Sequence, residues 1–200
     1  ATATRTVTVT APVSAGTLSG TQSICTGDSV TFGSTVSGGT WTSSNPAIAT
    51  INASTGAIVG VSAGTATMTY TVLGSGGCPN ATATKTITVK PSPQILNPST
   101  YQICTGENIT INLSANIPGT TFTWLVTQNN VSGANIGSGN AISATLTSNN
   151  GNAGSVVYGV IPMANGCEGN PFYITVRVWP LPKPQLNDGF VCLNILTNQA

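Results

Sequence analysis

The 200-residue chain carries five basic and four acidic residues. That is 4% charged, against roughly 25% in ordinary globular proteins. The net charge is +1, with no basic cluster to meet nucleic acid or an anionic membrane surface, and no apolar run approaches the ~20 residues of a spanning helix. Histidine is absent, which removes His-based triads, Cys–His nucleophiles and imidazole metal sites. Hydrophobic residues still reach 40% and alternate regularly, so the chain is expected to fold.

Residues 1–13, Ala-Thr-Ala-Thr-Arg-Thr-Val-Thr-Val-Thr-Ala-Pro-Val, nearly match residues 81–93. The later copy closes a module, so the earlier one reads as the closing strand of a preceding module. Next comes Ile24-Cys25-Thr26-Gly27-Asp28, which returns as Ile103-Cys104-Thr105-Gly106-Glu107. Each copy opens an apolar alternation and is followed by a Trp strand (Trp41, Trp124), a Tyr strand (Tyr70, Tyr158) and a second cysteine (Cys78, Cys167). One order at one period marks tandem modules. The chain therefore divides into 1–13, whole modules at 14–92 and 93–182, and the start of a third at 183–200, a piece of something longer.

Within the first module the period is two. Ala66, Met68, Tyr70 and Val72 alternate with threonines, as do Ala81, Ala83, Ile87 and Val89. This is a half-buried strand pattern with threonine on the wet face. Turn signals separate the strands at Ser37-Gly38-Gly39, Asn45-Pro46, Ser54-Thr55-Gly56 and Gly74 to Gly77; Pro46–Thr50 has room for one helical turn. In the second module Phe172, Ile174, Val176 and Val178 face one way, and Tyr173, Thr175, Arg177 and Trp179 the other. The expected fold is all-β, with tandem antiparallel β-sandwiches arranged end to end. Trp41, Tyr70, Trp124 and Tyr158 are expected in the cores. Pro91, Pro93, Pro180 and Pro182 would stop the closing strands and stiffen the links, with Trp179 packed at a junction.

Cysteines at matching module positions point to an oxidising, extracellular compartment. The repeat suggests bridges Cys25–Cys78 and Cys104–Cys167, each tying the start of the second strand to the start of the last. Cys192 would be the first cysteine of a third module, unpaired within this segment.

The stretch Trp41-Thr42-Ser43-Ser44-Asn45-Pro46-Ala47-Ile48-Ala49-Thr50-Ile51, followed by Gly56-Ala57-Ile58-Val59-Gly60-Val61-Ser62-Ala63-Gly64-Thr65-Ala66, resembles the group 2 bacterial immunoglobulin-like repeat. The second module is similar to the PKD-like module of large surface proteins from gliding bacteria of the Bacteroidetes type. It carries Phe122-Thr123-Trp124, Tyr158-Gly159-Val160-Ile161-Pro162, Gly166-Cys167-Glu168-Gly169-Asn170-Pro171 and Val176-Arg177-Val178. The Trp-x-Phe-Gly-Asp-Gly signature of true PKD domains is missing. Together the resemblances span about 170 residues. They imply a type IX-secreted, repeat-built surface adhesin of the gliding-motility kind, whose secretion and tip domains would lie outside this segment.

No enzyme is expected. The acids are Asp28, Glu107, Glu168 and Asp188, each isolated; Asp28 and Glu107, at equivalent module positions, read as hydrogen-bond acceptors in a turn. Hard cations need several oxygen ligands, and 90–96 and 179–187 contain no acid, so no metal or other cofactor is expected. Lys85 lies on the apolar side of its strand, where a Lys–Asn isopeptide is conceivable. Arg5 and Ile174 at the equivalent positions favour a snorkelling rim cation. The Thr-x-Thr runs are absent from the second module, against an ice-binding array. Asp28-Ser29-Val30 resembles an O-glycosylation motif at Ser29, and Trp179 is the one tryptophan that would serve as a sugar platform. The expected function is a structural shaft segment of an extracellular, cell-surface adhesin or filament. Its partners would be neighbouring modules, other copies in a filament, and a surface polysaccharide or substratum, with no nucleic acid and no membrane insertion. The alternative is a carbohydrate-binding β-sandwich module.

Overall fold

A computed structural model describes residues 2–6 and 9–181, and among them there is no helix. The chain falls into two compact units that divide between Pro91 and Ser92.

Unit 1 contains, in chain order, β1 (Leu18–Ser19), β2 (Ser23–Cys25), β3 (Ser29–Thr31), β4 (Gly33–Ser34), β5 (Thr40–Ser43), β6 (Ala49–Ile51), β7 (Ala57–Gly60), β8 (Gly64–Val72) and β9 (Ala81–Lys90). One sheet runs β2-β9-β8-β5, a second runs β3-β7-β6, and β1 pairs with β4. The alternation of β8 and β9 sorts their side chains: Ala66, Met68, Tyr70, Ile87 and Val89 are buried. Their neighbours form cross-strand threonine pairs, Thr65 with Thr88, Thr67 with Thr86, Thr69 with Thr84 and Thr71 with Thr82. Such β-branched pairs suit a pleated wet face. In the core, Trp41 packs 4.7 Å from Tyr70 and meets Phe32 edge-on at 6.3 Å. At Asn45-Pro46 the chain makes a turn, closed by the Ile48 and Ala49 N–H groups on the Asn45 carbonyl.

Unit 2 repeats the plan with β10 (Thr100–Cys104), β11 (Asn108–Asn112), β12 (Thr121–Asn129), β13 (Val131–Ser132), β14 (Gly137–Ser138), β15 (Ala141–Thr145), β16 (Thr147–Ser148), β17 (Gly154–Ala164), β18 (Cys167–Glu168) and β19 (Phe172–Trp179). Its main sheet runs β10-β19-β17-β12-β14, with β18 attached to β17; β11 pairs with β15 and β13 with β16. The core holds Ile111, Phe122, Trp124, Ile142, Leu146, Tyr158, Ile174, Val176 and Val178.

The sheets are not wholly antiparallel. In each unit the strand carrying the repeated Ile-Cys pair runs parallel to the last strand. Ser23–Cys25 lie beside Thr88–Lys90, and Thr100–Cys104 beside Thr175–Trp179. Period-two alternation looks the same in either direction, so the pattern alone does not distinguish them.

The two core tyrosines differ. The Tyr70 hydroxyl donates to the Val36 carbonyl at 2.9 Å and accepts from the Gly39 N–H at 2.8 Å. Tyr158 is fully buried and its hydroxyl has no hydrogen-bond partner; burial raises its pKa above the ordinary phenol value. Removing a partner from buried polar groups costs about 1–3 kcal/mol, whereas deleting an orphaned hydroxyl costs little. Tyr70→Phe should therefore destabilise unit 1 by about 1–2 kcal/mol. Tyr158→Phe should leave unit 2 unchanged or firmer, and urea titrations of the two variants check the contrast.

Candidate functional site

The repeated Ile-Cys-Thr-Gly-acid stretch is a corner that carries the chain from one sheet to the other. In unit 1 the Thr26 N–H extends the β2–β9 ladder onto the Lys90 carbonyl, and the Gly27 N–H reaches the Gly60 carbonyl of the opposite sheet. In unit 2, Thr105 bonds the Trp179 carbonyl and Gly106 the Leu146 carbonyl. Gly27 and Gly106 have φ of 92° and 86°, a left-handed turn that side chains resist. The acid closes the corner: Asp28 Oδ2 accepts from the Cys25 N–H at 3.3 Å, and Glu107 Oε2 from the Cys104 N–H at 3.0 Å. The motif thus satisfies its own backbone while switching sheets, and both carboxylates are used within the turn.

The parallel pairing also decides the cysteines. Cys25 lies opposite Lys90, at the end of β9, while Cys78 precedes Ala81, at its beginning. Across that 10-residue strand the separation is ~30 Å. In unit 2, Cys104 lies opposite Trp179, beyond the Val178–Gly154 pair, and Cys167 lies opposite Ala164 at the far end of β17. That gap is again ~30 Å. A disulfide needs Cα atoms within about 7 Å. The expected bridges Cys25–Cys78 and Cys104–Cys167 are therefore overturned. Their premise, that the first cysteine meets the start of the last strand, holds for an antiparallel pair and fails for a parallel one. Cys25, Cys104 and Cys167 are each disulfide-bonded. Cys78 is a free, half-buried thiol, with its Sγ 3.7 Å from the Thr10 carbonyl. Cys78 should accept a maleimide without prior reduction, read by peptide mapping; a Cys25–Cys78 cross-linked peptide would contradict the register. Cys192 and Pro182 lie outside the described residues.

The remaining candidates are spread over both units. Trp41, Tyr70, Trp124 and Tyr158 are all buried, at 8% exposure or less. Ser29 is exposed on β3. Lys85 points inward with its Nζ 5.7 Å from the Phe32 ring centroid. Pro91 is exposed, Pro93 buried and Pro180 half-buried. Trp179 is 44% exposed, and its Nε1 donates to Gln102 Oε1 at 3.0 Å. It borders a groove of about 290 Å³ with Asn129, Ser155, Thr175 and Arg177. The strand alternation places Tyr173 outward beside Trp179 without assigning it a role, and it is 63% exposed. Its ring lies across Gly159, opposite it on β17, where an added Cβ would meet it at 3.3 Å. Among the described residues there is no group of three or more His, Cys, Asp or Glu placed to hold a metal ion, and no helix is long and apolar enough to cross a membrane.

No curated protein matches the chain. Among solved structures it is similar to domains 4 and 5 of the S-layer protein SbsC, at 15% identity and a TM-score of 0.38 over 84% of this chain and all of that one. It is also similar to the insect immune protein hemolin, at 15% identity and 0.36 over 78% of this chain and 44% of that one. For Drosophila N-cadherin EC1-4 the values are 14% and 0.38, over 79% and 46%. The chain spans under half of the latter two. Residues 101–182, which run from β10 past the end of β19, match the PKD-like domain family.

Proposed function

We propose that this segment is a non-catalytic, load-bearing spacer in an extracellular surface protein of the adhesion type. The observation that carries the reading is the parallel pairing of β2 with β9 and of β10 with β19. Tension applied through the two ends of such a unit pulls the paired strands in opposite directions along their length. The ladder is then loaded in shear, with its hydrogen bonds sharing the force, instead of opening one bond at a time. The repeated corner keeps both ladders anchored to the opposite sheet. The finer reading, a type IX-secreted adhesin of the gliding-motility kind, is supported by the sequence resemblances of both units, and the PKD-like match agrees with the second of them.

Single-molecule stretching of the segment with its cysteines reduced tests this. The β2–β9 ladder has three residue pairs and the β10–β19 ladder five, so unit 1 should yield first and unit 2 at higher force. From Ser23 to Lys90 and from Thr100 to Trp179 the released lengths should be about 24 nm and about 29 nm, at ~3.6 Å per residue. Gradual extension without two peaks would refute the load-bearing role.

The second reading is carbohydrate binding, favoured by Trp179, held in place by Gln102 beside a polar groove. Glycan-array binding lost in Trp179→Ala, with both units still folded, would support it over the spacer.

A further inference from the structure

Among the described residues, strand β9 is an edge strand for most of its length. β2 covers it only from Thr88 to Lys90, and β1, earlier in the chain, pairs with β4 instead. The Thr88 N–H donates to the Gln22 carbonyl, and the Thr86 carbonyl accepts from Gln22 Nε2. The even-numbered residues of β9 therefore turn their backbone to this side. Among the described residues the N–H and C=O groups of Thr82 and Thr84 have no ladder partner there. They border a groove of about 550 Å³ lined by Gly16, Thr17, Leu18, Gln22 and residues 83–86. An open, threonine-rich edge is a template for another chain, and a surface with so few charges offers little repulsion against it.

Lys85 stands in the middle of that edge. It lies on the inward side with Ile87 and Val89, its ammonium is over Phe32, and it lines the groove. The stem covers apolar surface while the charge reaches water through the open edge. A strand docked along Thr82–Thr86 would close that route. The ammonium would then be sealed against an aromatic ring with no carboxylate to pair it, which is strongly unfavourable.

Unit 2 supplies the comparison. There β10 covers β19 from Thr175 to Trp179, and the Ser99 carbonyl takes the Thr175 N–H, so among the described residues the open stretch shrinks to 172–174. Val178 opposes Ile103 as Val89 opposes Ile24, which makes Ile174 the counterpart of Lys85. Ile174 is fully buried. The cation stands where the edge is long and gives way to a hydrocarbon where the edge is short.

We propose that Lys85 is an edge guard that prevents a second copy of this chain from adding its own β9 to the open strand. Sedimentation equilibrium of the full segment tests this. The parent protein and Lys85→Arg should stay monomeric, while Lys85→Ile and Lys85→Met should show a twofold rise in mass at high concentration. Lys85→Met keeps an unbranched stem and covers the case in which isoleucine disturbs folding. Adding Thr84→Pro should restore the monomer, because it deletes an N–H that unit 1 does not use and a docking strand requires. Folded, monomeric Lys85→Ile and Lys85→Met would overturn the proposal, as would a dimer indifferent to Thr84→Pro.

Discussion

Alanine at Gly56 should strip unit 1 of much of its stability and leave unit 2 unchanged. Gly56 has φ of 72°, a left-handed conformation that costs an L-residue roughly 1–2 kcal/mol. The added Cβ would also overlap the Phe32 carbonyl oxygen and sit 3.0 Å from Trp41 Nε1. Neither neighbour can give way. The Gly56 carbonyl accepts the Phe32 N–H at 2.9 Å, and Phe32 is 1% exposed, so moving that backbone unseats the centre of the core. Strain and repacking together should cost about 3–5 kcal/mol. A unit of some 80 residues has only about 4–12 kcal/mol to lose. A urea titration followed by the amide resonances of each unit should show the unit 1 transition moving to much lower denaturant while that of unit 2 stays in place.

Trp124→Ala should have the matching effect on unit 2. The Trp124 ring lies over Gly137 on β14, where a Cβ would come within 2.7 Å of Cζ2, and its Nε1 donates to the Asn135 carbonyl at 3.1 Å. Truncation leaves a cavity between β12 and the 135–137 segment and orphans that carbonyl. The expected loss is about 3–5 kcal/mol. Trp124→Phe, which refills most of the space but not the hydrogen bond, should lose about 1–2 kcal/mol. A denaturant titration with separate probes for each unit should show only the unit 2 transition moving; equal shifts in both would mean that the units do not unfold independently.

The sequence displayed what local physics controls. Threonine alternation revealed β8 and β9, and the turn residues marked their limits. The order of Trp and Tyr within a repeat located the buried aromatics. Parallel pairing of the Ile-Cys strand with the last strand of each unit was hidden, because it joins residues more than sixty positions apart and leaves no trace in period-two patterning. The cysteine assignment failed on that point, and so did any view of the open β9 edge. The fate of the two tyrosines was hidden too. Trp41 lies directly opposite Tyr70, whereas Trp124 faces Val160 and Tyr158 faces Val126. That two-residue slip removes Tyr158 from any loop equivalent to Val36–Gly39, and register, not composition, sets it. The acid of the repeated corner was readable as a turn acceptor, since a side-chain oxygen three residues on is well placed to take a backbone N–H.

The threonine faces also bear on how long such a protein lasts among digestive enzymes. Trypsin-like proteases cut after lysine or arginine and are blocked by a following proline. The chain offers five basic residues, and Lys90-Pro91 and Lys183-Pro184 are blocked by sequence. Of the other three, Lys85 and Arg177 are paired within β9 and β19. Cleavage there must wait for the strand to leave its sheet, so its rate follows the opening of the unit. Wetting a sheet with hydroxyls in place of ammonium groups thus removes cutting points as well as charge, and Arg5 remains the one basic residue outside the strands that no proline protects.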